Sequence, residues 1–146
     1  MKDKKYDIVI VSGFMAPPHV GHVRLFKGAK HFGNKVIVAL NSDKDQIEKS
    51  GSVFRDFAWR REMVEAIRYV DEVISFDGDS EGTALNAIMK VKMLYPEATI
   101  AFANGGDRKS GTTPEEGYCN AYKIDMLWGV GGNDKADNSS DIRAGK

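Results

Sequence analysis

Two of the chain's three histidines, His19 and His22, stand three residues apart around Gly21, within the stretch Gly13-Phe14-Met15-Ala16-Pro17-Pro18-His19-Val20-Gly21-His22. At the start of a helix that spacing puts both imidazoles on one face, where their ring nitrogens can meet phosphate oxygens. Gly13 lets a ligand come close to the main chain, Pro17-Pro18 stiffens the approach, and Gly21 leaves room between the rings. The free N–H groups of a first helical turn and the positive end of its dipole favour the same kind of ligand. The charge around this stretch points the same way: no acidic residue lies between Asp7 and Asp43, whereas Arg24, Lys27, Lys30 and Lys35 all do. An isolated pair of histidines would be read as ordinary surface or core residues. Their place behind a buried strand and a glycine turn favours phosphate binding. A metal centre built on His19 and His22 is the weaker reading, because no third His, Cys or acid stands at ligand spacing.

The elements that must hold this loop are legible from periodicity. Short apolar runs alternate with longer stretches of helical period, the mark of βαβ units on a parallel sheet. Five strands are expected, at Tyr6 to Ser12, Lys35 to Asn41, Glu72 to Phe76, Thr99 to Ala103 and Lys123 to Trp128, with the first central and buried on both faces. Helices are expected at His19 to Phe32, stopped by Gly33-Asn34, at Phe57 to Tyr69 and at Glu81 to Leu94. A short fourth helix should start at the capping box Thr113-Pro-Glu-Glu116. Ser42 to Phe54 reads as a loop, and so does the glycine-containing Gly129 to Asn138. Ligands of such a sheet bind beyond the carboxyl ends of the strands, where strand order reverses. The expectation is therefore an α/β, single Rossmann-like domain over residues 1–146, a parallel five-stranded sheet with helices on both faces.

Composition narrows the rest. With 42% apolar and 29% charged residues the chain should bury a core. Its 21 basic residues balance 21 acidic ones, which argues against non-specific nucleic-acid binding. The average conceals unlike halves, since residues 1–72 hold 13 basic against 10 acidic and residues 73–146 hold 8 against 11. Cys119 is the only cysteine, so no intrachain disulfide can form, and a cytoplasmic setting fits. No apolar run is long enough to span a membrane.

The Gly13-x5-His19-x-Gly21-His22 pattern resembles the HxGH signature of the nucleotidyltransferase superfamily, and the likeness runs through nearly the whole chain. Asn41-Ser42-Asp43 is similar to a turn those proteins carry, and Lys49 stands where they place a lysine over the triphosphate. Arg60 followed by Ile67-Arg-Tyr-Val-Asp-Glu-Val-Ile74 resembles the glycerol-3-phosphate cytidylyltransferases. Gly105-Gly106-Asp107 and Thr113 to Glu116 resemble the nucleotidyltransferase domain of ADP-heptose synthases. Ser139-Ser140-Asp-Ile-Arg143 resembles the S-[ST]-x-I-[RK] signature. Three positions depart from the pattern: Ala16 stands where Asp or Gln is common, Gly51 where CTP-binding members often carry a second lysine, and Asn133 near the place of an arginine that several cytidylyltransferases carry.

What the resemblance implies is transfer of a nucleotidyl group from a nucleoside triphosphate, CTP or ATP, to a phosphorylated sugar or polyol, with release of pyrophosphate. The implied catalytic residues are His19, His22, Lys49 and Arg60, the last holding the acceptor's phosphate. The implied nucleotide-binding residues are Gly13, Phe14, Met15, Gly21, Gly106, Asp107, Ser139, Ser140 and Arg143. The side chains of Phe14 and Met15 are themselves expected to pack rather than stack on a base. Mg2+ would arrive with the triphosphate, not in a site of the protein. Homodimers are common in the superfamily, although no interface is legible here. The alternative, which Ala16 and Gly51 would allow, is a nucleotide-binding regulatory domain of the same fold without catalysis.

Overall fold

The computed structural model describes residues 4–79, 83–105 and 115–131. Alternation in the first strand explains the architecture. In β1 (Tyr6–Gly13), Val9 and Val11 point into one apolar cluster with Phe26, Ala29, Val36, Val38 and Val64. Ile8 and Ile10 point into a second, with Ile37, Ala87, Ile88, Phe102 and Cys119. A strand buried on both sides needs a helical layer on each. α1 (Val20–Phe32) and α3 (Phe57–Glu65) supply residues to the first cluster, and α4 (Leu85–Leu94) and α5 (Glu116–Ala121) to the second.

The sheet is wholly parallel, in the order β3 (Glu72–Phe76), β2 (Gly33–Asn41), β1, β4 (Ile100–Gly105), β5 (Asp125–Val130). β1 is central, and chain order reverses between β1 and β4. The crevice beyond the carboxyl ends of these two strands is where such sheets take ligands. The loop that carries the two histidines leaves β1 there.

Several expected boundaries move. Gly33 is no left-handed helix stop; its backbone is extended (φ −127°) and starts β2 directly, with an added Cβ only 2.6 Å from Val9 Cγ2. The helix expected from Phe57 to Tyr69 ends at Glu65 and gives way to turns closed by Ile67 N–H to Val64 O and Val70 N–H to Ile67 O. Gly129 and Val130 belong to β5, not to a loop, and Lys123 turns ahead of that strand at φ 58°. The largest departure is α2 (Asp43–Ser50), a helix inside the stretch expected to be a loop. Its only apolar side chain, Ile47, is exposed, so it has no periodicity to read. It is specified at its ends: Ser42 accepts from Asp45 N–H, and Gly51 caps it in the left-handed region at φ 85°. The capping box at Thr113 and the start of the helix expected at Glu81 lie outside the described residues. Among the described residues, no helix is long and apolar enough to cross a membrane.

Candidate functional site

The loop after β1 is shaped before it reaches the histidines. Met15 has a left-handed backbone (φ 51°) and sinks its side chain into the core, 2% exposed, which turns the chain sharply beside Gly13. Ala16 is fully buried as well, so a longer side chain there would have to displace core atoms. The polypeptide then enters α1 through a cap made by the two histidines themselves. His19 is the N-cap and its Nδ1 accepts from Gly21 N–H at 3.1 Å, while His22 Nδ1 accepts from His19 N–H at 3.0 Å. This is a capping box with imidazoles in place of the usual Ser and Glu. Gly21 is required by it, since a Cβ there would lie 2.9 Å from His19 Cε1.

The cap has a chemical consequence. A nitrogen that accepts a hydrogen bond carries no proton, so in the neutral ring the proton sits on Nε2. Both imidazoles are thereby set as Nε2–H donors, with ring centroids 3.9 Å apart. Burial, and then the neighbouring His19, lowers the His22 pKa from 6.5 to about 4, so it is neutral at physiological pH.

This depression should appear in stability. The unfolded chain takes up a proton at His22 near pH 6.5 and the folded one only near 4, so stability is intact above that window and falls as pH drops through it. The expected contribution is roughly 2–3 kcal/mol after allowance for partial exposure. Thermal melts of wild type and His22→Asn between pH 7 and 4 test it. Asparagine supplies an acceptor near the Nδ1 position but does not titrate, so its melts should lose less over this range; parallel curves would refute the assignment.

Lys49, on the last turn of α2, reaches back to this loop, with its ammonium 4.5 Å from the centroid of the Phe14 ring. Gly51, the position expected to decide a second lysine, is the left-handed cap of α2, a conformation in which lysine would be strained. Arg60, expected to hold an acceptor phosphate, is fully buried and has its guanidinium placed among protein groups: Nε donates to Arg55 O (2.9 Å), Nη1 to Phe14 O (2.9 Å) and Asn41 O (2.7 Å), and Nη2 to Asp43 Oδ1 (2.8 Å). It ties the histidine loop to the end of β2 and the start of α2.

The structure thus brings Gly13, Phe14, Gly21, His19, His22 and Lys49 to one end of the sheet, with Arg60 beneath them. Gly106, Asp107, Ser139, Ser140 and Arg143 lie outside the described residues. Sequence reasoning missed Asn104, which ends the apolar run of β4 and is 2% exposed. A polar residue closing a buried strand was its only signal. Among the described residues no group of three His, Cys, Asp or Glu could hold a metal ion. Two cavities, of about 530 and 350 Å³, are lined by neither His19 nor His22; the larger is bounded by Arg24, Lys27, Lys30, His31 and Tyr69 among others.

Comparison with known proteins adds four findings. The profile of the family described as cytidylyltransferase-like matches residues 10–128. The glycerol-3-phosphate cytidylyltransferase of Bacillus subtilis is 36% identical over 66 residues, 45% of this chain and 51% of the relative. The bifunctional protein HldE of Koribacter versatilis is 37% identical over 103 residues, 68% of this chain but 19% of the relative. The chain therefore spans about half of the first relative and less of the second. Among solved structures, a putative nicotinate-nucleotide adenylyltransferase from Vibrio parahaemolyticus superposes with a TM-score of 0.64 at 20% identity, over 98% of this chain and 86% of that one. That likeness shows the fold.

Proposed function

The chain belongs to the cytidylyltransferase-like family, and we propose on that premise that it transfers a nucleotidyl group from CTP or ATP to a phosphorylated sugar or polyol. The observation that carries this reading is the reciprocal histidine cap, which engages both Nδ1 atoms at the start of α1, next to the sheet's switch point, and leaves Nε2–H of the neutral His22 as a donor. An oxygen of the acceptor's phosphate attacks the α-phosphorus of the triphosphate, the bond from that phosphorus to the α,β-bridging oxygen breaks, and pyrophosphate leaves. The attacking oxygen is already anionic, so the chain needs neither a nucleophile nor a base, only placement and charge stabilisation.

His19 and His22 bind the α- and β-phosphates, and His22 donates to the bridging oxygen as charge builds there. The low His22 pKa supports this, because the donor keeps its neutral form across working pH. Lys49 closes over the β- and γ-phosphates. Gly106 and Asp107 line the nucleotide, and Ser139, Ser140 and Arg143 take the leaving pyrophosphate. Mg2+ would be carried in with the triphosphate, whose charge it would offset; among the described residues no group of three His, Cys, Asp or Glu could hold a metal ion.

Thermal-shift titration with CTP, ATP, GTP and UTP in the presence of Mg2+, followed by pyrophosphate release with phosphorylated polyols and sugars, tests the reading. CTP or ATP should raise the melting temperature and support turnover. No shift with any nucleotide would defeat it, and a shift without turnover across the acceptor panel would favour a regulatory nucleotide-binding domain. Lys49→Ala should raise the KM for the triphosphate about tenfold by removing a charge-assisted contact. Phe14→Leu keeps the lysine and removes only the ring beneath it, so a rise of about two- to fivefold is expected, in line with an exposed cation–π contact. Equal effects from both would show that Phe14 does more than seat the lysine.

A further inference from the structure

The position of Asn104 gives it a task that packing does not explain. The β1–β4 register pairs Ile8 with Ile100 and Ile10 with Phe102, and its continuation sets Asn104 level with Ser12, one residue before Gly13. Adjacent strands lie about 4.8 Å apart, so Asn104 stands beside the root of the histidine loop. On its other side the β4–β5 register shifts between Ala103 and Gly105, an irregularity of the kind that re-aims a side chain next to a site. Its Nδ2 donates to Leu127 O at 3.2 Å. Because that partner is an acceptor, the nitrogen must sit at that end of the amide, which fixes Oδ1 at the other. Oδ1 is buried and has no hydrogen-bond partner among the described residues. Leaving a carbonyl buried and unpaired is unfavourable, and such groups in native structures call for an explanation.

We infer that Asn104 is a specificity-determining residue whose side-chain carbonyl reads the exocyclic amine of the nucleotide's base. This rests on the nucleotide-binding reading above and deepens it. Oδ1 can only accept, so it needs an N–H from the ligand. Adenine and cytosine carry an amine at the edge remote from the sugar, whereas hypoxanthine and uracil carry a carbonyl at the same atom, which would oppose acceptor to acceptor. A site built around a hydrogen-bonding group rejects an analogue that lacks the matching one far more strongly than an apolar pocket rejects a change in size.

The test measures the affinity of the full chain, with Mg2+, for ATP against ITP and for CTP against UTP, by isothermal titration calorimetry. Each pair differs where the amine becomes a carbonyl. For each base that binds, the amino member should bind at least tenfold tighter in the wild type, and Asn104→Leu, similar in volume, should reduce that preference to within about threefold. Amino and keto members binding within threefold of each other in the wild type would overturn the inference while leaving nucleotide binding intact; that comparison needs no variant. A folded Asn104→Leu that keeps the tenfold preference would overturn it too. If none of the four nucleotides binds, the proposed function fails and takes this inference with it.

Discussion

Replacing His22 with alanine is expected to lower the rate of pyrophosphate release by at least about 100-fold, the cost of losing one donor aimed at charge that develops in the transition state. The same substitution also removes half of the cap on α1, because His22 Nδ1 accepts from His19 N–H. That loss should cost about 1 kcal/mol of stability. The two roles belong to different nitrogens and can be separated. His22→Asn keeps an acceptor near Nδ1 but has nothing at Nε2, so it should melt close to wild type and still lose at least about 100-fold in rate. His22→Gln reverses the trade, offering a donor at the distance of Nε2 with a poorer cap. An Asn variant within tenfold of wild-type turnover would show that the outward nitrogen takes no part in the chemistry.

That separation marks how far the sequence alone could be read. The strands were legible because Ile8 to Val11 and Val36 to Leu40 are buried on both faces, which leaves an uninterrupted apolar run. The histidine spacing marked a candidate phosphate site because it followed such a run and a glycine. The protonated nitrogen was not legible, since it depends on the backbone N–H groups of His19 and Gly21 folding back onto the rings. α2 was invisible for the opposite reason, its specification lying in Ser42 and Gly51 at its ends and not in any apolar face. Asn104 falls one residue past the end expected for its strand at Ala103. Its buried, half-satisfied amide arises from a register shift between β4 and β5 that no local pattern encodes.

Arg60 is the residue whose reading changes most, and its loss should unfold more of the molecule than any site residue's. On an amphipathic helix an arginine is expected to be solvated, yet this one is fully buried and ends on three carbonyls and one carboxylate. Those acceptors, Phe14 O, Asn41 O, Arg55 O and Asp43 Oδ1, belong to the histidine loop, the end of β2, the approach to α3 and the start of α2. None is close enough in sequence to Arg60 to advertise the contact. Arg60→Met takes the guanidinium from all four; Arg55 O keeps Gln46 Nε2 at 2.8 Å and the part-exposed Asp43 can turn to water, but Phe14 O and Asn41 O lose their tie, and the change should cost roughly 3 kcal/mol or more. For a chain of this length that corresponds to a melting temperature lower by about 10 °C or more. Arg60→Lys should not rescue it, because a single ammonium cannot span acceptors that the guanidinium fork reaches from three nitrogens. The rate should fall as well, even at temperatures where the variant remains folded, since the Phe14 carbonyl that Arg60 holds lies in the loop presenting His19 and His22. A residue that bound the acceptor's phosphate would behave otherwise: Arg60→Lys would raise the KM for the acceptor alone and leave the melting temperature unchanged. Calorimetry and steady-state kinetics on Arg60→Lys therefore decide between the two, and an unchanged melt with a raised acceptor KM would return Arg60 to the substrate.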